Sequence, residues 1–139
     1  MTGGRASWDV LEHTGEVRLA LHAADWGELL AAAGRALAAV ELGGAPAAVN
    51  GRVREFELRA GDREALLVDW LNELVFLAES ERWVGADFEV LSATPTALRM
   101  RARGVEVDQA PARVKAATFH GLSVTDQADG VRAEVVLDV

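Results

Sequence analysis

Two acidic residues near opposite ends of the chain are the ones whose types and positions suggest shared chemistry. Glu16 follows Glu12 across the short stretch His13-Thr14-Gly15, and Asp138 is followed by Val139, whose main-chain carboxylate adds a further negative group. Val17, Leu19 and Leu21 alternate with Glu16, Arg18, Ala20 and His22, the period of two of a strand with one buried face. Val131, Ala133, Val135 and Leu137 share one face of a second such strand, leaving Arg132, Glu134, Val136 and Asp138 on the other. If these strands pair antiparallel, the start of one meets the end of the other, and Glu16, Asp138 and the Val139 carboxylate converge. Carboxylates crowded together cannot all stay ionised unaided, so a hard divalent cation, Ca²⁺ or Mg²⁺, is expected between them. Spacing alone leaves the alternative open that these are separate, solvated acids at a domain edge.

Other chemistries find less support. The chain has no cysteine, which excludes a disulfide scaffold, a thiolate metal site and a cysteine nucleophile. Its three histidines, His13, His22 and His120, do not stand at the i, i+4 spacing of a zinc-binding helix. His22 reads as solvated at a strand end; His120, in Phe119-His120-Gly121-Leu122, is either a turn-bonding residue or a functional one. Gly3-Gly4 and Gly43-Gly44 open no phosphate loop, and no GxGxxG, P-loop or GxSxG pattern occurs. With serine only at Ser7, Ser80, Ser92 and Ser123, a hydrolytic triad is disfavoured. A stand-alone metal-dependent hydrolase lacks an evident general base beside the acids.

The net charge of −8, from 14 Lys and Arg against 22 Asp and Glu, bears on partners. Gripping a phosphate backbone requires a basic stripe. Only short clusters such as Arg99, Arg101 and Arg103 occur, so direct high-affinity nucleic-acid binding is not expected. A basic protein or a cation suits this surface better. The N-terminus lacks the apolar core of a signal peptide, and no apolar run reaches the length of a membrane span, which makes the cytoplasm the expected location.

The elements that must position these residues are legible from periodicity. At 139 residues, half of them hydrophobic, the chain is expected to form one domain over residues 1–139, with 1–6 frayed. Asp25-Trp26-Gly27-Glu28 resembles a capping box, followed at helical spacing by Leu29, Leu30, Ala33, Leu37 and Val40 up to Gly43-Gly44. Asp62 caps a second helix with the stripe Leu66, Leu67, Trp70, Leu71, Leu74, Phe76 and Leu77, read as the central core helix. Gly51 to Arg59 reads as a strand with a bulge near Arg54-Glu55. Further strands are expected over 83–91, 97–107, 113–118, 122–125 and 131–139, with Asp129-Gly130 as the turn before the last. Of the tryptophans, Trp8, Trp26 and Trp70 read as core and Trp83 as the most exposed. This is an α+β pattern, with two helices packed on a mostly antiparallel sheet.

Four strings, in order and together covering residues 8–139, resemble the archease family. Glu12-His13-Thr14-Gly15-Glu16-Val17 is similar to its N-terminal D-H-T-A-D-I signature. Leu67-Val68-Asp69-Trp70-Leu71-Asn72-Glu73-Leu74 is similar to L-x-x-W-L-x-E-L. Residues 114–122, beginning Val114-Lys115-Ala116, resemble V-K-A-x-T-Y-H-x-L, and residues 133–139 resemble A-x-V-x-L-D-I. The resemblance implies a compact archease-like α+β fold. It also implies a non-catalytic role beside an RtcB-type RNA ligase in tRNA splicing or RNA repair. Such a protein promotes guanylylation and turnover of the ligase, and a metal-independent chaperone or scaffold for an RNA-modifying enzyme is the alternative. The family's metal-binding positions fall on Glu16, Asp138 and Val139, with Glu12, His13, Lys115 and His120 around them or facing the partner. Both signature acids are Glu here where the family has Asp. One methylene moves a carboxylate by roughly 1.5 Å, which a flexible Ca²⁺ shell absorbs better than an octahedral Mg²⁺ shell. Phe119 stands in place of the family's Tyr.

Overall fold

The alternating residues at the start fold as a hairpin. In the computed structural model, which describes residues 6–13, 15–46 and 48–139, β1 (Ser7–His13) pairs antiparallel with β2 (Glu16–Ala23). Residues 1–5, most of the stretch expected to fray, lie outside the described residues. Val17, Leu19, Leu21 and Ala23 are buried, as the period of two requires.

Helix α1 (Trp26–Leu42) begins where the Asp25 carboxylate accepts a hydrogen bond from the Glu28 N–H at 2.9 Å, and ends at Gly43 in the left-handed region. It is buried nearly all round. Helix α2 (Arg63–Glu81) starts in the same way, Asp62 accepting from the Ala65 N–H at 2.8 Å. Phe76, expected in its core stripe, is 59% exposed, and Val75 takes the buried place. Of the two helices α1 rather than α2 is the more enclosed: only Glu28 of α1 is exposed, whereas α2 exposes Asp69, Phe76, Glu79, Ser80 and Glu81.

The remaining strands are β3 (Val53–Arg59), β4 (Trp83–Thr94), β5 (Ala97–Glu106), β6 (Ala116–Gln127) and β7 (Gly130–Asp138). The α+β expectation holds, with the strands shared between two sheets of order β1-β2-β7-β6 and β3-β5-β4, every pair antiparallel. Helix α1 packs on β2 and β4, and α2 on β6 and β4, so the helical layer lies between the sheets. One hydrophobic cluster draws on both helices and both sheets. Among the described residues no helix is long and apolar enough to cross a membrane.

Several expectations at the level of single elements are corrected. The bulge near Arg54-Glu55 is absent, because Val53 lies outward with Glu55 and Glu57 and the phase never breaks. The segments 113–118 and 122–125 are not two strands. They contribute to one strand, β6, whose register on β7 jumps between Thr118 and Ser123. Four residues of β6 there oppose the single residue Val135, and Gly121 at φ 69° supplies the left-handed turn. Trp83 is wholly buried rather than exposed. Its ring occupies the space over Gly104, where a Cβ would come within 2.3 Å, and its indole N–H donates to the Arg52 carbonyl at 2.9 Å. The last turn is formed by Ala128-Asp129, with Gln127 opposite Gly130.

Candidate functional site

The register of β2 on β7 sets Glu16 directly opposite Asp138, followed by Val17 opposite Leu137. Val17 and Leu137 are buried, so alternation turns Glu16 and Asp138 to the outer face of the four-stranded sheet. Asp138 is exposed and Glu16 half-buried. The Val139 N–H lies 3.5 Å from the Gly15 carbonyl, which brings the main chain of Val139 to the turn that joins β1 and β2. Glu16, Asp138 and Val139 therefore lie together at one end of the sheet.

Like charges directly opposed on adjacent strands repel. Among the described residues no lysine or arginine reaches ion-pair distance of either Glu16 or Asp138; the nearest outer-face pair along the strands is Arg18 with Glu134, at 3.2 Å. Glu12 differs from Glu16 in both respects. It stands opposite Val17, hence on the other face, and it is ion-paired with Arg113. The two acids of the opening signature thus have separate roles, one bound to an arginine and one facing a second carboxylate.

The other residues singled out are spread around this end. His13 is opposite Glu16 in the β1–β2 register. The exposed Lys115 approaches Asp138 through its main chain, its N–H donating to the Asp138 carbonyl at 2.8 Å, and its ammonium pairs with no acid among the described residues. His120 is exposed in the register jump of β6, and among the described residues its imidazole bonds no turn backbone. His22 is not solvated: its side chain is 15% exposed, with Nε2 3.4 Å from the Asp129 carboxylate, because the β6–β7 turn folds over the end of β2. A hollow of about 180 Å³ is lined by Leu11, Glu12, Glu16 and Arg18. A larger one, about 460 Å³, runs beside Lys115 between Glu79 and residues 110–114.

Glu16 and Asp138 carry oxygen donors, the kind that hard cations such as Ca²⁺ and Mg²⁺ take in preference to softer metals. Among the described residues no three His, Cys, Asp or Glu side chains cluster so as to hold a metal ion, and the side chains of Glu16 and Asp138 bring two carboxylates to this edge. Sequence reasoning missed two residues that shape the edge, Arg113 and Asn72. The Asn72 amide exchanges two hydrogen bonds with the Ala117 main chain, at 2.8 and 3.2 Å. Only the proximity of Asn72 to the Trp70 motif marked it, and nothing in the sequence marked Arg113.

Comparison with known proteins gives a consistent picture. Residues 8–139 match the model of the Archease protein family. Protein archease of Methanosarcina barkeri is 35% identical over 94 residues, 62% of this chain, and the match spans just under two thirds (64%) of that relative's length. The solution structure of Protein 1598 from Methanobacterium thermoautotrophicum superposes with a TM-score of 0.75 at 26% identity, covering 95% of this chain and 98% of the other. A crystal structure from Thermotoga maritima, described as an archease and possible chaperone, has a TM-score of 0.66 over 93% of this chain and 94% of its own. At 18% identity it speaks for the fold alone. With the family model spanning nearly the whole sequence, the chain belongs to the archease family.

Proposed function

We propose that this chain is a non-catalytic activator of an RtcB-type RNA ligase in tRNA splicing or RNA repair, acting through an acidic edge that binds a divalent cation. Family membership supports the accessory role, and one observation carries the site: Glu16 stands directly opposite Asp138 across β2 and β7. The two carboxylates, with main-chain oxygen of Val139, hold Ca²⁺ or Mg²⁺. The bound ion supplies positive charge that offsets charge building up on a transferring phosphate. Glu12, fixed by Arg113, braces the hairpin that carries Glu16. The exposed Leu11, which lines a hollow with Glu16, and the exposed Phe119 of β6 give the ligase apolar contact. Direct RNA binding is not part of this reading. Arg101 is engaged by Glu55 and Glu89 at 3.0 and 3.2 Å and Arg99 lies 3.7 Å from Glu57, which leaves little uncompensated positive charge for phosphates.

The test is stimulation of the cognate ligase by Asp138→Ala, measured as guanylylation and multiple turnover. Stimulation is expected to vanish while the melting temperature stays within a few degrees of wild type, since Asp138 is exposed and makes no side-chain bond among the described residues. Full stimulation by this variant overturns the reading.

A metal-independent chaperone or scaffold is the second reading. It is favoured by the exposed Phe76, Phe119 and Leu11. It predicts that Asp138→Ala keeps the partner soluble as well as wild type does, whereas Phe76→Ser and Phe119→Ser do not.

A further inference from the structure

Residues 113–117 are held from three sides. Arg113 pairs with Glu12 of β1, the Lys115 N–H donates to the Asp138 carbonyl at 2.8 Å, and Ala117 is gripped by Asn72 of α2. The Asn72 Oδ1 accepts from the Ala117 N–H at 2.8 Å, and its Nδ2 donates to the Ala117 carbonyl at 3.2 Å. In an antiparallel ladder every second residue turns both its main-chain groups away from the neighbouring strand. On the edge strand β6, Ala117 is such a residue, and a side-chain amide offers the one donor and one acceptor that a further strand would offer. The helix behind it is fixed in turn, because the Trp70 indole N–H donates to the Leu30 carbonyl of α1 at 2.9 Å.

The grip falls beside the acidic edge. Ala117 is opposite Leu137, and Ala116 is opposite Asp138. We infer that Asn72 is a positioning residue: by pinning Ala117 it sets the strand start of β6 against the end of β7, and so holds the main chain of Asp138 where its carboxylate opposes Glu16. This rests on the reading of Glu16 and Asp138 as a cation site, but it makes a separate claim about local order. Without Asn72, the start of β6 keeps its ladder to β7, the Lys115 contact and the Arg113 pair, but the outward main-chain groups of Ala117 lose their partner at a strand end, where local opening is easiest.

Two measurements on Asn72→Ala test it. Amide hydrogen exchange is expected to quicken at Lys115 by about tenfold, the effect of losing a pair of hydrogen bonds, with no change at Met100 in the other sheet. Calcium titration by calorimetry is expected to show about tenfold weaker binding by the folded variant. Unchanged exchange at Lys115, or equal quickening at Lys115 and Met100, overturns the proposal, because the residue would then act nowhere near Asp138 or merely stabilise the whole. If wild type binds no Ca²⁺, the cation reading falls and the Lys115 exchange alone decides the clamp. Should the alanine variant not fold, Asn72→Asp, which keeps the acceptor for the Ala117 N–H, is expected to give an intermediate rate at Lys115; a wild-type rate there overturns the clamp.

Discussion

Glu41 of α1 shows what a single enclosed carboxyl does to the whole chain. Burial pushes its pKa up to about 8, and its Oε2 has no hydrogen-bond partner among the described residues. The folded chain therefore holds this proton between about pH 4.5 and 8, whereas the unfolded chain releases it. Stability from this group falls as pH rises through that window and levels off above it. Glu41→Leu, similar in size and without a charge to desolvate, removes this slope. Urea unfolding is expected to find the variant more stable than wild type at pH 8 by about 1–3 kcal/mol, with the gap closing towards pH 5. A gap that is the same at both pH values would contradict the burial argument. The pairing of Glu16 with Asp138 was legible because each lies on a strand of clean alternation, so phase alone fixed the shared face. The solvated reading of His22 failed because the carboxylate that meets it, on Asp129, arrives from a turn more than a hundred residues away.

Local signals placed both helices, though not the phase of β3 or the outward turn of Phe76, and several features shaped by distant contacts were missed. Both helix starts followed from an aspartate whose carboxylate caps the N–H three residues on. The missed burial of Trp83 has a remote cause: Gly104 on β5 leaves the room that the indole fills. Gly104→Ala would set a methyl against that ring, and is expected to cost about 1–3 kcal/mol in chemical denaturation. Trp83→Leu in the same background should restore part of the loss, and additive losses would exclude the steric account. The division of the β6 region into two strands failed in a similar way. Phe119 to Leu122 interrupt the ladder without ending it, because β7 runs on beneath them. Asn72 was invisible as a clamp, since its partner is main chain on another element and carries no residue-type signature.

At the scale of the whole molecule, charge and layering decide how another macromolecule meets this one. A net charge of −8 draws a basic partner by long-range attraction. If the ligase is that partner, raising salt from about 50 to 300 mM should slow association by tenfold or more in stopped-flow mixing, with dissociation little changed. Equal rates at both concentrations would argue against an electrostatic approach. Both helices pack against strands of both sheets, and α1 is nearly enclosed by them. Much of what faces outward is therefore pleated ribbon, ridged by side chains of both signs, with α2 adding the exposed Asp69, Phe76 and Glu79. Evolution of a new binding partner would then proceed by exchanging alternate residues on those ribbons, each of which can be changed without disturbing the packed layer behind it.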